Sequence, residues 1–329
     1  MDCSRSLSKT VITPLSLLLS SFCLLANFAA AFNFSTITFD QGYTPLFSDF
    51  NIIRSDDDKT VSLLLNRYSG SGFISSEYYN YGLFSAKIKL PSNYSAGIVV
   101  AFYTSNVDVF EKNHDELDFE FLGNIRGKPW RFQTNLYGNG STSRGREERF
   151  YVDEVPIREV IRNPAMGGDY PSKPMSLYAT IWDASTWATS GGKYKVNYNF
   201  QPFVSDFTDL VLEGCTVDPI QKIPAAAAPC DRDTDALEAD DINTISAEGR
   251  KAMSWFRERY MYYSYCYDLM RYPVPPPECV IVPAERHLFK DTGRLKEALK
   301  IKFGRHQKHR RRGSRRGRRD AGGAAATSF

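Results

Sequence analysis

Between Asn113 and Asn124 the chain reads NHDELDFEFLGN, and His114, Glu116, Asp118 and Glu120 recur at every second position. The residues between them, Asp115, Leu117, Phe119 and Phe121, are mostly apolar. Strict alternation over this length predicts a half-buried β-strand. Side chains two apart point to the same face of a strand, so three carboxylates crowd one face, although Asp and Glu are depleted in strands. A strand rises ~3.3 Å per residue, which sets the Cα atoms of Glu116 and Glu120 roughly 13 Å apart. With both side chains reaching inward, their carboxyl groups approach to about 5–6 Å, the separation of a retaining glycosidase pair rather than the wider gap of an inverting one. Three neighbouring carboxylates cannot all ionise cheaply, so at least one pKa is expected to rise, and a protonated general acid is what the first half of such a reaction needs. The middle acid, Asp118, can hydrogen-bond the attacking carboxylate. A solvated strand face is the plain alternative, but such a face usually mixes signs or uses Thr, Lys and Ser. A calcium site usually draws its ligands from a loop with a Gly at its sharp turn, which this segment does not resemble.

The rest of the chain supplies partners for such a strand. TVSLLLNRY (Thr60–Tyr68), LFSAKIKL (Leu83–Leu90), AGIVVAFYTS (Ala96–Ser105), RFQTNLYG (Arg131–Gly138) and KPMSLYATIWD (Lys173–Asp183) all have strand character and are separated by Gly-, Pro-, Ser- and Asn-rich turns. Regular turns with little helical periodicity predict an all-β fold, a curved antiparallel sandwich or jelly roll, over residues 32–212. Residues 213–292 differ. IPAAAAP (Ile223–Pro229) is linker-like, and TISAEGRKAMSWFRERYM (Thr244–Met261) predicts a helix starting near Ser246, with Met253, Phe256 and Tyr260 on one face. The run Tyr263–Cys279 then alternates until prolines end it. This is a small α/β extension with too little core of its own, expected to be held by disulfides.

Residues 1–31 have the form of a secretory signal: Arg5 and Lys9, then an apolar stretch from Val11 to Ala26, then Ala29-Ala30-Ala31. The stretch is interrupted by Pro14 and several Ser and falls below the ~20 apolar residues of a membrane span. Cys3 and Cys23 would leave with it, and Cys215, Cys230, Cys266 and Cys279 remain for an oxidising compartment. Three pairings are open; Cys215–Cys230 and Cys266–Cys279 each close a short loop and are preferred. No CxxC pair is present and the chain has only four His, which argues against a metal site and against a Ser-His-Asp hydrolase. Of the sequons at Asn33, Asn93 and Asn139, the last lies in a Gly- and Ser-rich turn and is the expected glycosylation site. The formal net charge of +3 hides an asymmetry. Residues 293–329 form a basic tail with little to bury, expected to be disordered. Such a tail is compatible with nucleic acid, but behind a secretory start an acidic wall polysaccharide is the favoured partner.

HDELDFEFLG resembles the H-D-E-[IL]-D-[FIM]-E-F-L-G signature of the plant xyloglucan endotransglucosylase/hydrolases of glycoside hydrolase family 16. The resemblance runs from about Phe39 to Val282 and includes GYTPLF, GSGFISSEYYNYGLFSAKIKLP, QTNLYGNG, PIREV, MGGDYPSKPMSLYATIWDASTWAT and YSYCYDLMRY. It implies a jelly-roll sandwich with a long open cleft and a disulfide-bonded C-terminal extension. It also implies that Glu116 is the nucleophile, Glu120 the general acid/base and Asp118 the supporting acid. The reaction implied is cleavage of the β-1,4-glucan backbone of a xyloglucan donor and transfer to a xyloglucan acceptor, with no cofactor; the secretory start, rather than the resemblance, sets the expectation of no nucleic acid and no membrane partner. Sugar-facing candidates are His114, Gln133, Asn135, Trp182, Asp183, Trp187, Gly191, Gly192 and, in the extension, Arg271. A sequon directly after the motif is absent, since Ile125-Arg126 follow Asn124; with the basic tail, this resembles the subgroup in which transglucosylase activity is expected. A second departure is larger. Arg149-Phe150-Tyr151 joins two stretches that the family separates by roughly 25 residues, enough for about two strands with their turns. Such a loss predicts exposed sheet edges. Two alternatives to the transglycosylase stand beside it: a xyloglucan endo-hydrolase, in which water takes the intermediate, or a carbohydrate-binding copy whose catalysis this loss impairs.

Overall fold

The computed structural model describes residues 34–92, 94–142, 148–161, 171–218, 245–287 and 289. The leader, the linker-like loop, the sequons at Asn33 and Asn93, Cys230 and the basic tail lie outside them. The first strands are β1 (Tyr43–Phe47), β2 (Ile52–Arg54), β3 (Thr60–Leu65), β4 (Ser71–Ser75) and β5 (Tyr78–Lys89). There follow β6 (Ile98–Ser105), β7 (Glu116–Leu122), β8 (Arg131–Gly138) and β9 (Ser141–Thr142). The last are β10 (Glu148–Val152), β11 (Val155–Val160), β12 (Ser176–Asp183) and β13 (Phe203–Val217).

Among the described residues these strands form an inner sheet of seven, ordered β1-β4-β12-β6-β7-β8-β9, and an outer sheet of four, ordered β2-β3-β13-β5. Among the described residues, strands β10 and β11 pair with each other and with no other strand. All pairs are antiparallel. The expected all-β antiparallel sandwich is therefore the fold.

Alternation decides what each sheet buries. In β3, Val61, Leu63 and Leu65 turn inward and are at most 2% exposed. In β13, Phe203 and Phe207 do the same. Between the layers Phe73 meets Phe39 and Phe207 edge to face at centroid distances of 5.4 and 5.5 Å, a favoured aromatic geometry. Strand β6 is apolar on both faces from Ile98 to Phe102, as a central strand requires. Strands β3 and β5 of the outer sheet pack against β12 of the inner one, and β3 also contacts β4. Behind β7 the cover is thinner: Phe119 and Phe121 are half-buried. Phe119 is met by Phe150 of β10 at 5.3 Å, and Phe121 stacks on Phe119 at 6.0 Å.

The chain divides into two compact units, Met1–Trp255 and Phe256–Phe329. The predicted helix is Ala247–Tyr260, and the Gly249 N–H donates to the Ser246 hydroxyl at its start, the N-cap role that Ser favours. In the second unit the alternating run forms no strand. Its tyrosines are used otherwise: Tyr265–Tyr267 make a short 3-10 turn, Tyr263 donates to Asp268, and Tyr267 donates to Glu285 at 2.8 Å. Arg257 grips the same Glu285 with two nitrogens at 3.1 and 2.9 Å. Burial works against Glu285 ionising, but the hydrogen bonds from Arg257 and Tyr267 hold its pKa below the ordinary value. The disulfide Cys266–Cys279 joins this unit. Cys215, at the end of β13, is also disulfide-bonded.

Phe207→Ala, in the two-layer core, is expected to cost about 3–5 kcal/mol. Phe121→Ala, under the thinner cover, is expected to cost under about half of that. Urea denaturation midpoints measure both, and equal losses would mean that β7 is covered as fully as β13.

Candidate active site

Strand β7 lies between β6 and β8, and the pairing decides what its acids meet. Glu116 faces Ser105 and Tyr137, Asp118 faces Tyr103 and Asn135, and Glu120 faces Ala101 and Gln133. Directly opposed residues share a face, so all of these project from the inner sheet on the side away from the core. Glu116, Asp118 and Glu120 line one open cavity of about 330 Å³ together with Phe47, Ala101, Tyr103, Thr180 and Trp182. The three predicted acids therefore come together.

Their electrostatics differ along the row. Asp118 is only 6% exposed, and burial pushes its pKa well above the ordinary range, helped by the neighbouring charges of Glu116 and Glu120. Glu116 is also raised, chiefly by burial, but hydrogen bonds from Ser105 and Asp118 and the nearby His114 oppose the rise. Of the two, Asp118 is pushed the further toward its protonated form, from which it can donate to Glu116. Burial and the charges of Glu116 and Asp118 also raise Tyr103. At the far end, Glu120 Oε2 accepts from Gln133 Nε2 at 2.6 Å and from Asn135 Nδ2 at 2.8 Å. Two amide donors thus fix the orientation of this carboxylate. The sequence placed Gln133 and Asn135 on the sugar-facing side; in this structure their amides hold an acid.

His114 sits just before the strand, its Nε2 4.0 Å from Glu116 Oε2 and its ring 6.0 Å from that of Tyr137. Trp182 lines the cavity, and Trp187, 37% exposed, packs against it at a centroid distance of 5.9 Å. Trp187 leads into a turn with positive φ at Thr189, Ser190, Gly191 and Gly192. Gly192 is required there, since a Cβ would stand 2.4 Å from the Thr186 carbonyl oxygen. Thr189 anchors the turn by accepting from the Gly97 N–H and donating to the Gly123 carbonyl. Asp183 is engaged by Tyr198 Oη at 2.6 Å and the Ser185 N–H at 2.8 Å. Burial opposes its ionisation, yet these hydrogen bonds hold its pKa below the ordinary value. Arg271 belongs to the second unit, where its N–H donates to Asp268 Oδ1 at 3.2 Å. Asn139 is exposed in the turn after β8, with φ of 52°. Among the described residues no group of three His, Cys, Asp or Glu side chains is arranged to hold a metal ion.

Sequence reasoning missed Asp115, which faces away from the acid row. It is fully buried and accepts from the N–H groups of Asn139, Ser172 and Lys173 and from Lys173 Nζ, at 2.7, 2.7, 2.8 and 2.9 Å. Its own N–H donates to Asn106 Oδ1 at 2.8 Å. One residue thus ties the start of β7 to the end of β6 through its N–H, and to the turn after β8 and the approach to β12 through its carboxylate. The signal was present as an acid at an apolar position of the alternation. Also missed were Tyr103, stacked on Tyr178 at 5.0 Å, and Phe47, which lines the same cavity.

The profile of "Glycosyl hydrolases family 16" matches residues 39–149 and, in a second piece, 146–200. That of "Xyloglucan endo-transglycosylase (XET) C-terminus" matches residues 233–279. The sandwich and its acid-lined sheet thus fall in the family 16 class of glycosyl hydrolases. The chain is 56% identical to Arabidopsis thaliana "Probable xyloglucan endotransglucosylase/hydrolase protein 30", over 95% of each chain. It is 57% identical to protein 29 of the same series, over 80% of this chain and 83% of that one. The chain belongs to the xyloglucan endotransglucosylase/hydrolase family. The alignment with protein 30 runs over 337 residues, longer than the whole 329-residue chain, so the relative carries residues with no counterpart here. Among solved structures, "Apo Crh5 transglycosylase" is similar at TM-score 0.43 and 18% identity, over 57% of this chain and 84% of that one. A prokaryotic beta-1,3-1,4-glucanase from a mouse hindgut metagenome is similar at TM-score 0.36 and 18% identity, over 54% and 99%. At these scores neither adds to the assignment.

Asp118→Asn tests the electrostatic account. The folded-state pKa of Asp118 is raised above its unfolded value of about 3.9. Its contribution to stability is therefore full below about pH 4 and is lost as pH rises through the folded value. The Asn variant cannot ionise, so its urea midpoint should exceed the parent's at pH 7 and match it near pH 4, while activity falls. A parent that is the more stable at pH 7 would contradict the burial argument.

Proposed function

We propose that this chain is a retaining transglycosylase of xyloglucan, and the observation that carries the reading is the row Glu116–Asp118–Glu120 on the floor of one cleft. Glu116 attacks the anomeric carbon of a backbone glucosyl unit as Glu120 gives its proton to the departing glycosidic oxygen. The donor's reducing-end part leaves, and the remainder is held as an ester on Glu116. Asp118, kept protonated by burial, donates to Glu116 and orients its attacking oxygen. In the second half Glu120, now a carboxylate held by Gln133 and Asn135, accepts the proton of an acceptor 4-hydroxyl. That oxygen attacks the anomeric carbon and releases Glu116. Two displacements restore the β configuration. The names of the relatives support xyloglucan as donor and acceptor. Trp182 and Trp187 offer aromatic faces beside the acids, and His114 borders the nucleophile.

The secretory form of residues 1–31 and the four remaining cysteines support secretion to the cell wall and apoplast. Among the described residues no helix is long and apolar enough to cross a membrane. The exposed turn at Asn139 suits a glycan, Cys230 is the partner assigned to Cys215, and Arg271 is assigned to a distal sugar subsite. The tail, ten Lys and Arg between Lys302 and Arg319 without an acid, is assigned to acidic wall polysaccharide.

Incubation with xyloglucan and a labelled xyloglucan oligosaccharide should give labelled polymer; reducing ends released without labelled polymer would make the protein a hydrolase instead. Glu120→Gln should slow transfer by about 10²–10⁴-fold, and Glu116→Ala should abolish it while polymer binding persists. Retention on immobilised pectate should fall with salt and disappear on truncation at Gly304. Retention unchanged by the truncation would remove the tail from this role.

A further inference from the structure

Phe47 ends β1, the edge strand of the inner sheet. Plain alternation from the buried Tyr43 would turn Tyr43, Pro45 and Phe47 toward the outer sheet. The register prevents this. It passes from Pro45 opposite Phe73 to Phe47 opposite Gly72, so Leu46 and Phe47 together face one residue of β4. A bulge of this kind re-aims a side chain, and here it moves Phe47 onto the face that carries the acid row. Gly72 makes the room. A Cβ at Gly72 would lie 2.9 Å from Phe47 Cε1 and 2.9 Å from Thr180 Cγ2. The ring edge thus occupies the place on the cleft floor that a side chain would take. Phe47 remains 40% exposed and lines the same cavity as Glu116, Asp118 and Glu120. A backbone irregularity and a glycine together hold an aromatic ring open to a polar cleft, where burial of apolar surface gives no reason for it.

We propose that Phe47 is a stacking platform for one glucosyl ring of a β-1,4-glucan chain, several units away from the bond that is cut. The inference rests on the xyloglucan reading above and adds a subsite to it. A β-linked glucopyranose carries its hydroxyls around the ring edge and leaves flat C–H faces, which an exposed aromatic ring covers well. Strand β1 is four strands from β7 in the inner sheet, roughly 19 Å along the sheet at ~4.8 Å per strand. The row between them at the level of Glu120 is Gly72, Thr180 and Ala101, small side chains that leave the floor low. A sugar chain lying on that floor reaches Phe47 only if it extends well beyond the reacting unit.

Binding is measured on the full chain carrying Glu116→Ala, so that the ligand is not consumed. The ligands are xyloglucan polymer and a xyloglucan fragment with a backbone of two glucosyl units. Adding Phe47→Ala should weaken polymer binding by about tenfold and leave binding of the short fragment unchanged. Phe47→Trp should keep polymer affinity, whereas Phe47→Leu, apolar but without a flat ring, should lose it as Ala does. Equal losses on polymer and fragment, or a Leu variant that binds like the parent, would overturn the proposal. If the Phe47-bearing protein binds neither ligand, the xyloglucan reading itself fails and takes this one with it.

Discussion

The cleft depends on the register of β7, and that register is held by the buried carboxylate of Asp115. A slip of one residue would turn Glu116, Asp118 and Glu120 into the core and Leu117, Phe119 and Phe121 out into the cleft. Apolar burial resists the slip only weakly here, because the backs of Phe119 and Phe121 are half-covered. Asp115 resists it strongly. Four donors converge on it from Asn139, Ser172 and Lys173, and moving it would leave a buried charge without its partners, which is among the costliest single changes in a folded chain. The same residue pins the turn after β8, so the strand that carries Gln133 and Asn135 keeps its place beside Glu120. The acid that the mechanism does not use thus fixes the three that it does.

Holding three acids together conflicts with stability, and the arrangement around them limits the conflict. Asp118 is the most deeply buried of the row and the most strongly pushed toward its neutral form. A neutral Asp118 converts a repulsion into a hydrogen bond to Glu116. Glu120 is held from the side by uncharged amides rather than by a cation. A cation there would fix Glu120 as a carboxylate and oppose its work as an acid, whereas an amide orients it and can reverse its donor and acceptor ends as the proton comes and goes. The site destabilises its own strand locally, as functional sites commonly do.

Much of this was legible from residue order, and the misses share a cause. Strand β8 spans its alternating run from Arg131 to Gly138, and the acid row needed only a period of two. The helix was marked by Ser246 and its apolar spacing. Strand β13 was not singled out although it is the longest. Phe203, Ser205 and Phe207 are buried in alternation, but Asp209 takes a φ of 50° and the register shifts between Thr208 and Val211, so Leu210 and Leu212 continue on the opposite parity. Phe47 escaped for the same reason, since the bulge at Leu46 reverses its face. Tyr103 belongs to the site only because β6 lies beside β7, and that pairing is not written in either segment. Gln133 and Asn135 were placed on the right face, but their bonds to Glu120 arise across two strands. Local period was readable; changes of parity and contacts between strands were not.

The region where the family profile breaks can be placed in the same terms. Its two matched pieces meet at residues 146–149, reaching into the start of the hairpin of β10 and β11, which among the described residues joins neither large sheet. Phe150 from that hairpin covers Phe119, and Arg158 donates to the Thr134 carbonyl and hydroxyl at 3.0 and 2.9 Å. The hairpin therefore backs the very strands that carry the acids and their amide partners. The inner sheet from β4 to β8 is paired without interruption, so the floor of the cleft does not depend on residues at the junction for its hydrogen bonds. What the junction alters is the cover behind β7 and β8. That cover contributes to stability through buried area and reaches the chemistry only by way of the register that Asp115 already holds. A missing stretch at this place should therefore weaken the fold before it disturbs the geometry of the acids.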